Sequence, residues 1–153
     1  MLPSVRGLVT AIEGAAVVEM ALIAPLMAAL MMGTIDTARY FAAGIKVQQA
    51  VNRSLEMSLM GGPTVALSDI QAQAADQAGV DVSAVTVTQT LKCAGTVTTW
   101  TLTCASGQET ARYTQVSIAT TFTPSFVLNS LNQMYKSTNG NIPISVTGAV
   151  RIQ

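Results

Sequence analysis

Gly14-Ala-Ala-Val-Val-Glu19-Met-Ala-Leu-Ile-Ala-Pro25-Leu-Met-Ala-Ala-Leu-Met-Met-Gly-Thr-Ile35 is the stretch whose reading decides the fold. Apolar residues dominate it, and at about 1.5 Å per residue a helix of this length crosses the roughly 30 Å hydrocarbon layer of a bilayer. One acid, Glu19, lies about one turn inside its N-terminal end. A carboxylate there costs on the order of 2.5–3.5 kcal/mol on insertion scales, so a partner and a role are expected of it. Small residues, Gly14-Ala15-Ala16, sit just ahead of it. The stretch therefore reads as a cut site, an acid and a hydrophobic stem.

The helical signal does not stop at residue 35, and after Pro25 no proline appears until Pro63. Val47, Val51, Leu55 and Leu59 recur every four residues on one side. Arg39, Lys46 and Arg53 recur every seven on another, as a helix of about 3.6 residues per turn requires. Span and amphipathic section read as one continuous helix to about residue 60. Pro25 is expected to kink it, because proline removes a backbone hydrogen bond and crowds the preceding turn. Gly61-Gly62-Pro63 ends it, glycine supplying the left-handed cap and proline refusing the ladder. The organisation is thus a leader over residues 1–14, a span over 15–35, an amphipathic continuation over 36–62 and a domain over 63–153. The leader has one basic residue, Arg6, and is too short to fold alone.

Composition agrees with a membrane-anchored chain. The 153 residues leave room for one span and one modest domain. Half of the residues are hydrophobic and 10% are charged, against roughly 25% in ordinary soluble domains. Eight basic and eight acidic residues cancel, which removes the electrostatic case for nucleic acid. Histidine, the commonest general base and metal ligand, is absent, and Cys93 and Cys104 alone do not close a zinc site. The acids and hydroxyls outside the span form no arrangement with a base, and no glycine-rich phosphate loop is present. No catalytic residue, metal site or cofactor is expected, and the chain is read as a non-enzyme.

Beyond residue 63 the pattern is that of a small α+β domain. Ser68 is placed to cap a short helix over residues 69–78, with Asp69 at the positive end of its dipole and Gly79 ending it. Val85-Thr86-Val87-Thr88 alternates with period two and predicts a strand to about residue 91. A second strand is expected over residues 113–122, with Val116, Ile118, Thr120 and Phe122 on one face, closing at Pro124. Residues 125–135 suit a short helix or packed loop, and Ser137-Thr138-Asn139-Gly140-Asn141 a turn. A last strand over residues 144–152 alternates through Ile144, Val146, Gly148, Val150 and Ile152. The expected fold is a long kinked N-terminal helix, membrane-spanning in its first half, followed by a small, mainly antiparallel sheet of three or four strands.

Two cysteines close in sequence beyond a span read as one disulfide in an oxidising compartment, with two free thiols as the alternative. A tension accompanies this pairing. If Ala94-Gly95 makes a tight hairpin, the following strand, advancing about 3.3 Å per residue, carries Cys104 away from Cys93. A disulfide needs its Cα atoms within about 7 Å. The two features exclude each other on this reading, and the disulfide is preferred, with residues 94–103 as a stapled loop or miniature hairpin centred near Thr98-Thr99.

The run Gly14-Ala15-Ala16-Val17-Val18-Glu19-Met20-Ala21-Leu22-Ile23-Ala24-Pro25 closely resembles the TadE-like pseudopilins of tight-adherence (Flp-type) pili, which are bacterial envelope proteins. The family pattern is a small-residue run, then Glu, then an aromatic or large apolar residue, then a stem carrying a proline. The resemblance continues through Asp36-Thr37-Ala38-Arg39-Tyr40 and returns at Phe122-Thr123-Pro124 and Val150-Arg151, whereas residues 64–110 match in style only. Three features depart from the pattern: Glu13 directly precedes Gly14, the leader has a single basic residue, and Met20 replaces the common aromatic.

The resemblance implies that a prepilin peptidase cuts after Gly14, making Ala15 the new N-terminus and Glu19 the fifth residue of the mature chain. The freed α-amine and a carboxylate one turn away, or on a neighbouring subunit, neutralise each other, since two buried opposite charges cost less together than apart. The implied role is a minor pilin-like subunit helping to build a surface pilus. Its partners are the prepilin peptidase, other pilin-like subunits, the pilus assembly machinery and the inner membrane. The competing reading is an uncleaved single-pass envelope protein whose outer domain binds a partner, with Glu19 snorkelling toward headgroups and Arg39, Lys46 and Arg53 forming a solvated face. A cleaved secretory signal fits poorly, because its apolar core spans only about 7–15 residues.

Orientation is contested within the sequence. Arg6 lies on one side of the span and Arg39, Lys46 and Arg53 on the other, so the positive-inside rule places the domain in the cytoplasm. The cysteine pair, the threonine-rich strands and the resemblance favour a cytoplasmic N-terminus and a periplasmic domain in the bacterial inner membrane, the orientation expected here; entry into the pilus fibre and a place at its base both stay open.

Overall fold

A computed structural model describes the backbone of residues 6–125 and 140–152, with side chains from residue 14 onward. The chain divides into two compact units at the Arg39/Tyr40 boundary. Helix α1 (Arg6–Gly61) contributes to both. It begins inside the leader, which by itself is too short to fold. A few residues added to an existing helix need no new nucleus, only propagation. The helix runs through Pro25 and stops at Gly61, where Gly62 takes a left-handed φ of 61° and Pro63 lies in a 3₁₀ turn, Gly62–Thr64.

The described residues of the first unit belong to this helix, and from Gly14 to Ile35 they lie on the surface. The second unit is an α+β fold. Helix α2 (Leu67–Ala78) leads through a 3₁₀ turn, Val82–Ala84, into strands β1 (Val85–Cys93), β2 (Thr96–Thr98), β3 (Thr110–Phe122) and β4 (Ile142–Arg151). All neighbours in the sheet are antiparallel, in the order β2-β1-β3-β4. The expected segment over residues 125–135, and most of the turn that follows it, lie outside the described residues apart from Ser125, Gly140 and Asn141.

The core sits between α1, α2 and one face of the sheet. Val47, Ala50, Val51, Ile70, Ala74, Ala75, Val85, Val116, Ile118 and Ile144 bury together. Two sequence expectations need correction here. The four-residue series from Val47 does not hold to its end, because Leu59 is 49% exposed while Ser54 and Ser58 are buried. A four-residue step overshoots a 3.6-residue turn by about 40°, so three steps rotate the series roughly 120° off the core. The serines remain buried because each hydroxyl donates to the carbonyl four residues earlier: Ser54 Oγ to Ala50 O at 2.7 Å, Ser58 Oγ to Ser54 O at 3.1 Å. The second correction concerns Ser68, which lies inside α2 instead of capping it. Ala66 is the N-cap, and its carbonyl accepts from Asp69 N at 3.1 Å and Ile70 N at 3.3 Å. The ladder thus starts early enough to bury Ile70 completely.

Inward positions run through Val85, Val87, Gln89 and Leu91 on β1 and the even residues of β3 and β4, as alternation demands. Gly148 on β4 is where the helix comes closest. A Cβ there would lie 2.7 Å from Val51 Cγ1 and 2.9 Å from Leu55 Cδ1.

The tension over the cysteines dissolves. Ala94 and Gly95 do form the hairpin turn, with φ of 48° and 83°, both positive as a type I′ turn requires. Cys93 and Cys104 are also disulfide-bonded, with Cα atoms 5.4 Å apart. Both hold because β2 is only three residues long. A turn closed by Leu102 N donating to Thr99 O at 3.0 Å then brings the chain back. Arg112 braces this return: its Nη1 donates to Trp100 O at 3.0 Å and its guanidinium sits 4.9 Å from the Trp100 ring centre. The hairpin is centred on Ala94-Gly95, not on Thr98-Thr99.

Two expectations follow for stability. Gly148→Val forces Val51 and Leu55 to move and should destabilise the second unit by about 1–3 kcal/mol, the range for overpacked cores. A lowered thermal midpoint of the detergent-solubilised protein checks it. Replacing Cys93 and Cys104 together by Ser should cost roughly 2–3 kcal/mol for a loop this short, read as a lower urea midpoint.

Candidate processing and assembly segment

Ala15 and Glu19 are four residues apart on α1, so their side chains stack on one face about 6 Å apart along the axis. An α-amine at residue 15 and the Glu19 carboxylate would therefore sit about one turn apart on the same helix. Glu19 is exposed, and among the described residues no hydrogen bond or ion pair reaches it. The residues that continue its row, Ile23, Met27 and Met31, are apolar and exposed.

Three glycines in α1, Gly14, Gly33 and Gly44, meet no described atom beyond the neighbouring residues and backbone of their own helix within 4 Å of where a Cβ would stand, and none has a positive φ. Each costs about 1 kcal/mol relative to alanine in a helix interior. The single chain offers no packing or backbone reason for them. Hydroxyls in the stem satisfy themselves on the helix: Thr34 Oγ1 donates to Met31 O and Thr37 Oγ1 to Gly33 O, both at 2.8 Å. That arrangement suits surroundings that provide no water. At its C-terminal end an ion pair, Arg39 Nη1 to Asp36 Oδ1 at 3.7 Å, marks the change from apolar to charged surface.

The remaining sequence-selected residues lie in the second unit. Cys93 and Cys104 staple the β1–β2 end of the sheet. Lys46 and Arg53 line a polar groove of about 530 Å³ with Gln49, Asn52, Glu56 and Gln77. Arg53 Nη1 donates to Gln77 Oε1 at 3.5 Å. The Lys46 ammonium rests against Gly79, the left-handed C-cap of α2, where the carbonyl end of a helix dipole favours a cation. Arg39 belongs to the first unit and is paired there.

Sequence reasoning missed two positioning residues. Gln71 Nε2 donates to Val82 O at 3.1 Å and Val85 O at 2.7 Å, tying α2 to the start of β1. Arg112 holds the stapled loop. Neither belongs to a local motif; each is defined only by what the fold brings to it. Among the described residues no group of three or more His, Cys, Asp or Glu is arranged to hold a metal ion.

The long helix is apolar and long enough to cross a membrane. Residues 14–54 match the family model for TadE-like proteins, which takes in Gly14, Ala15, Glu19 and most of α1. No curated protein and no solved structure matches the chain. The N-terminal segment is therefore TadE-like, consistent with a TadE-like protein of the tight-adherence pilus system.

Proposed function

We propose that this chain is a minor pilin-like subunit that helps to assemble a tight-adherence pilus, processed between Gly14 and Ala15 and guided into register by Glu19. The observation that carries the reading is the Ala15–Glu19 pair on one face of the TadE-like helix, with Glu19 unpartnered among the described residues. A carboxylate within a lipid-length stem needs an opposite charge. The α-amine made by cleavage, its own or a neighbouring subunit's, supplies one. Gly14 supports the same reading, since the helix neither needs nor favours a glycine there.

In this reading the chain performs no chemistry itself and needs no cofactor. It works with a prepilin peptidase, other pilin-like subunits and the assembly machinery in the bacterial inner membrane, with its N-terminus cytoplasmic and its domain periplasmic. The Cys93–Cys104 disulfide supports that orientation, because structural disulfides persist in oxidising compartments. The opposing Lys/Arg count carries less weight. The chain beyond the span exceeds the roughly 60 residues over which the positive-inside rule counts, and long domains translocate largely regardless of charge.

One observation favours the second reading, an uncleaved single-pass envelope protein whose outer domain binds a partner. Helix α1 runs unbroken across the Gly14–Ala15 bond, which a peptidase must open before cutting.

Two experiments separate the readings. N-terminal sequencing of the membrane-extracted protein, from cells with an active prepilin peptidase, should start at Ala15; an intact leader overturns the pilin reading. Glu19→Gln keeps size and removes charge. It should leave membrane abundance and cleavage unchanged while pili counted by electron microscopy fall severely. Wild-type piliation at equal abundance would exclude charge pairing as the assembly device.

A further inference from the structure

Among the described residues Phe41 is the one aromatic side chain that stands exposed, at 62%. It belongs to the second unit and follows directly on the apolar stem, six residues after Ile35. The ring is braced. Phe41 meets Tyr40 edge-on with ring centres 5.8 Å apart, and Tyr40 meets Phe122, the last residue of β3, edge-on at 5.8 Å. Tyr40 and Phe122 are themselves packed against the core. Apolar side chains scattered singly over a surface need no explanation. A large ring fixed on a packed platform, just where a lipid-length stem ends, does.

Its height along the helix decides what the ring meets. Six residues of α1 rise about 9 Å. The polar layer on each side of the hydrocarbon is about 5–7 Å thick. Helical side chains lean toward the N-terminus, here toward the stem, so the ring covers surface below its own Cα and comes down into that layer. Ile45, 58% exposed, rises about 15 Å beyond Ile35 and clears it. The row of α1 that carries Phe41 descends through Thr34, Leu30 and Ile23, all exposed. The Thr34 hydroxyl on that row already donates within the helix. Asp36 and Arg39, which pair with each other at 3.7 Å, lie well over 90° around the helix from it.

We infer that Phe41 is a lipid anchor: its ring lies in the headgroup layer of the membrane that the stem crosses, and through Tyr40 and Phe122 it seats the end of β3 on that surface. Phenylalanine is among the side chains that interfacial helices bury at the boundary of headgroups and acyl chains, where an apolar ring escapes water. The occupant is lipid because the uncharged, exposed row beneath the ring is continuous with the stem's own lipid-length surface. An anchor on a rigid platform also fixes the depth of the stem and limits its sliding along the helix axis. The inference rests on the stem crossing a membrane and on nothing else in the pilin reading: cleavage, charge pairing and orientation do not enter it.

The test reads tryptophan fluorescence of the full chain, reconstituted into phosphatidylcholine vesicles whose acyl chains are plain, brominated near the headgroup or brominated near the terminal methyl. The wild-type protein, whose only tryptophan is Trp100, supplies the blank to subtract. Leu59 stands five full turns beyond Phe41 on the same row and is 49% exposed, so Leu59→Trp reports the level without lipid contact. Bromine near the headgroup should quench Phe41→Trp roughly threefold more than Leu59→Trp, and more than bromine near the methyl does. Ile45→Trp should stay close to Leu59→Trp. Leu26→Trp, in mid-stem, should show the opposite order, with the deeper bromine quenching it more. Phe41→Trp quenched no more than Leu59→Trp overturns the anchor, and a blue-shifted but unquenched emission identifies a protein contact in its place. Ile45→Trp quenched as strongly as Phe41→Trp overturns the assigned height. Leu26→Trp untouched by either lipid overturns the membrane span and the anchor with it, whereas a quenched Leu26→Trp beside an unquenched Phe41→Trp removes the anchor alone.

Discussion

A carboxylate set in a lipid-length apolar helix is the constraint on which the rest depends. Glu19 is costly in hydrocarbon by roughly 2.5–3.5 kcal/mol, and among its described neighbours nothing offsets that cost. The described residues along this stem suit surroundings without water: aliphatic and methionine side chains face outward, and threonine hydroxyls return to the helix's own carbonyls. Pro25 leaves one carbonyl of this helix without its usual donor, and no hydrogen bond or ion pair among the described residues meets the Glu19 carboxylate. In the proposed reading, the positive group that answers this carboxylate is an α-amine on the same or a neighbouring subunit.

The second unit solves a different problem with the same helix. From Tyr40 onward one stripe of α1 buries, with small residues set among Val47 and Val51. Ala50, Ser54 and Ser58 are buried with it, and Gly148 receives Val51 and Leu55 at distances where any side chain would collide. Close approach maximises dispersion contacts, which fall steeply with even small gaps. The buried serines cost little because each donates within its own helix. At one end of the core Tyr40 packs edge-on against Phe122 with ring centres 5.8 Å apart.

At the sheet's β1–β2 end the fold relies on covalent and charged bracing instead of apolar bulk. The disulfide, the Arg112 bonds to Trp100 and Leu102, and the type I′ turn at Ala94-Gly95 hold a loop whose exposed residues include Val97 and Leu102. A small domain with few large buried side chains gains from such staples, since its core alone supplies limited stability.

The sequence alone determined the long helix, its lipid-length first half, its stop at Gly61-Gly62-Pro63, the class of the sheet domain and the alternating faces of three of its strands. Those features follow from periodicity and from the backbone limits of glycine and proline, which act locally and leave their mark in adjacent residues. The TadE-like character of the segment that begins at Gly14 was legible for the same reason: its residues are neighbours in the chain. Only the tertiary structure decided that Leu59 leaves the core while Ser54 and Ser58 enter it, because the helix's phase is set by the surface it packs against. Tertiary placement also let the hairpin and the disulfide coexist, through a turn after β2 that Arg112 holds from a distant strand. Gly148, Gln71 and Arg112 acquire their roles from partners dozens of residues away or on other elements, and contacts of that kind have no signature in local sequence.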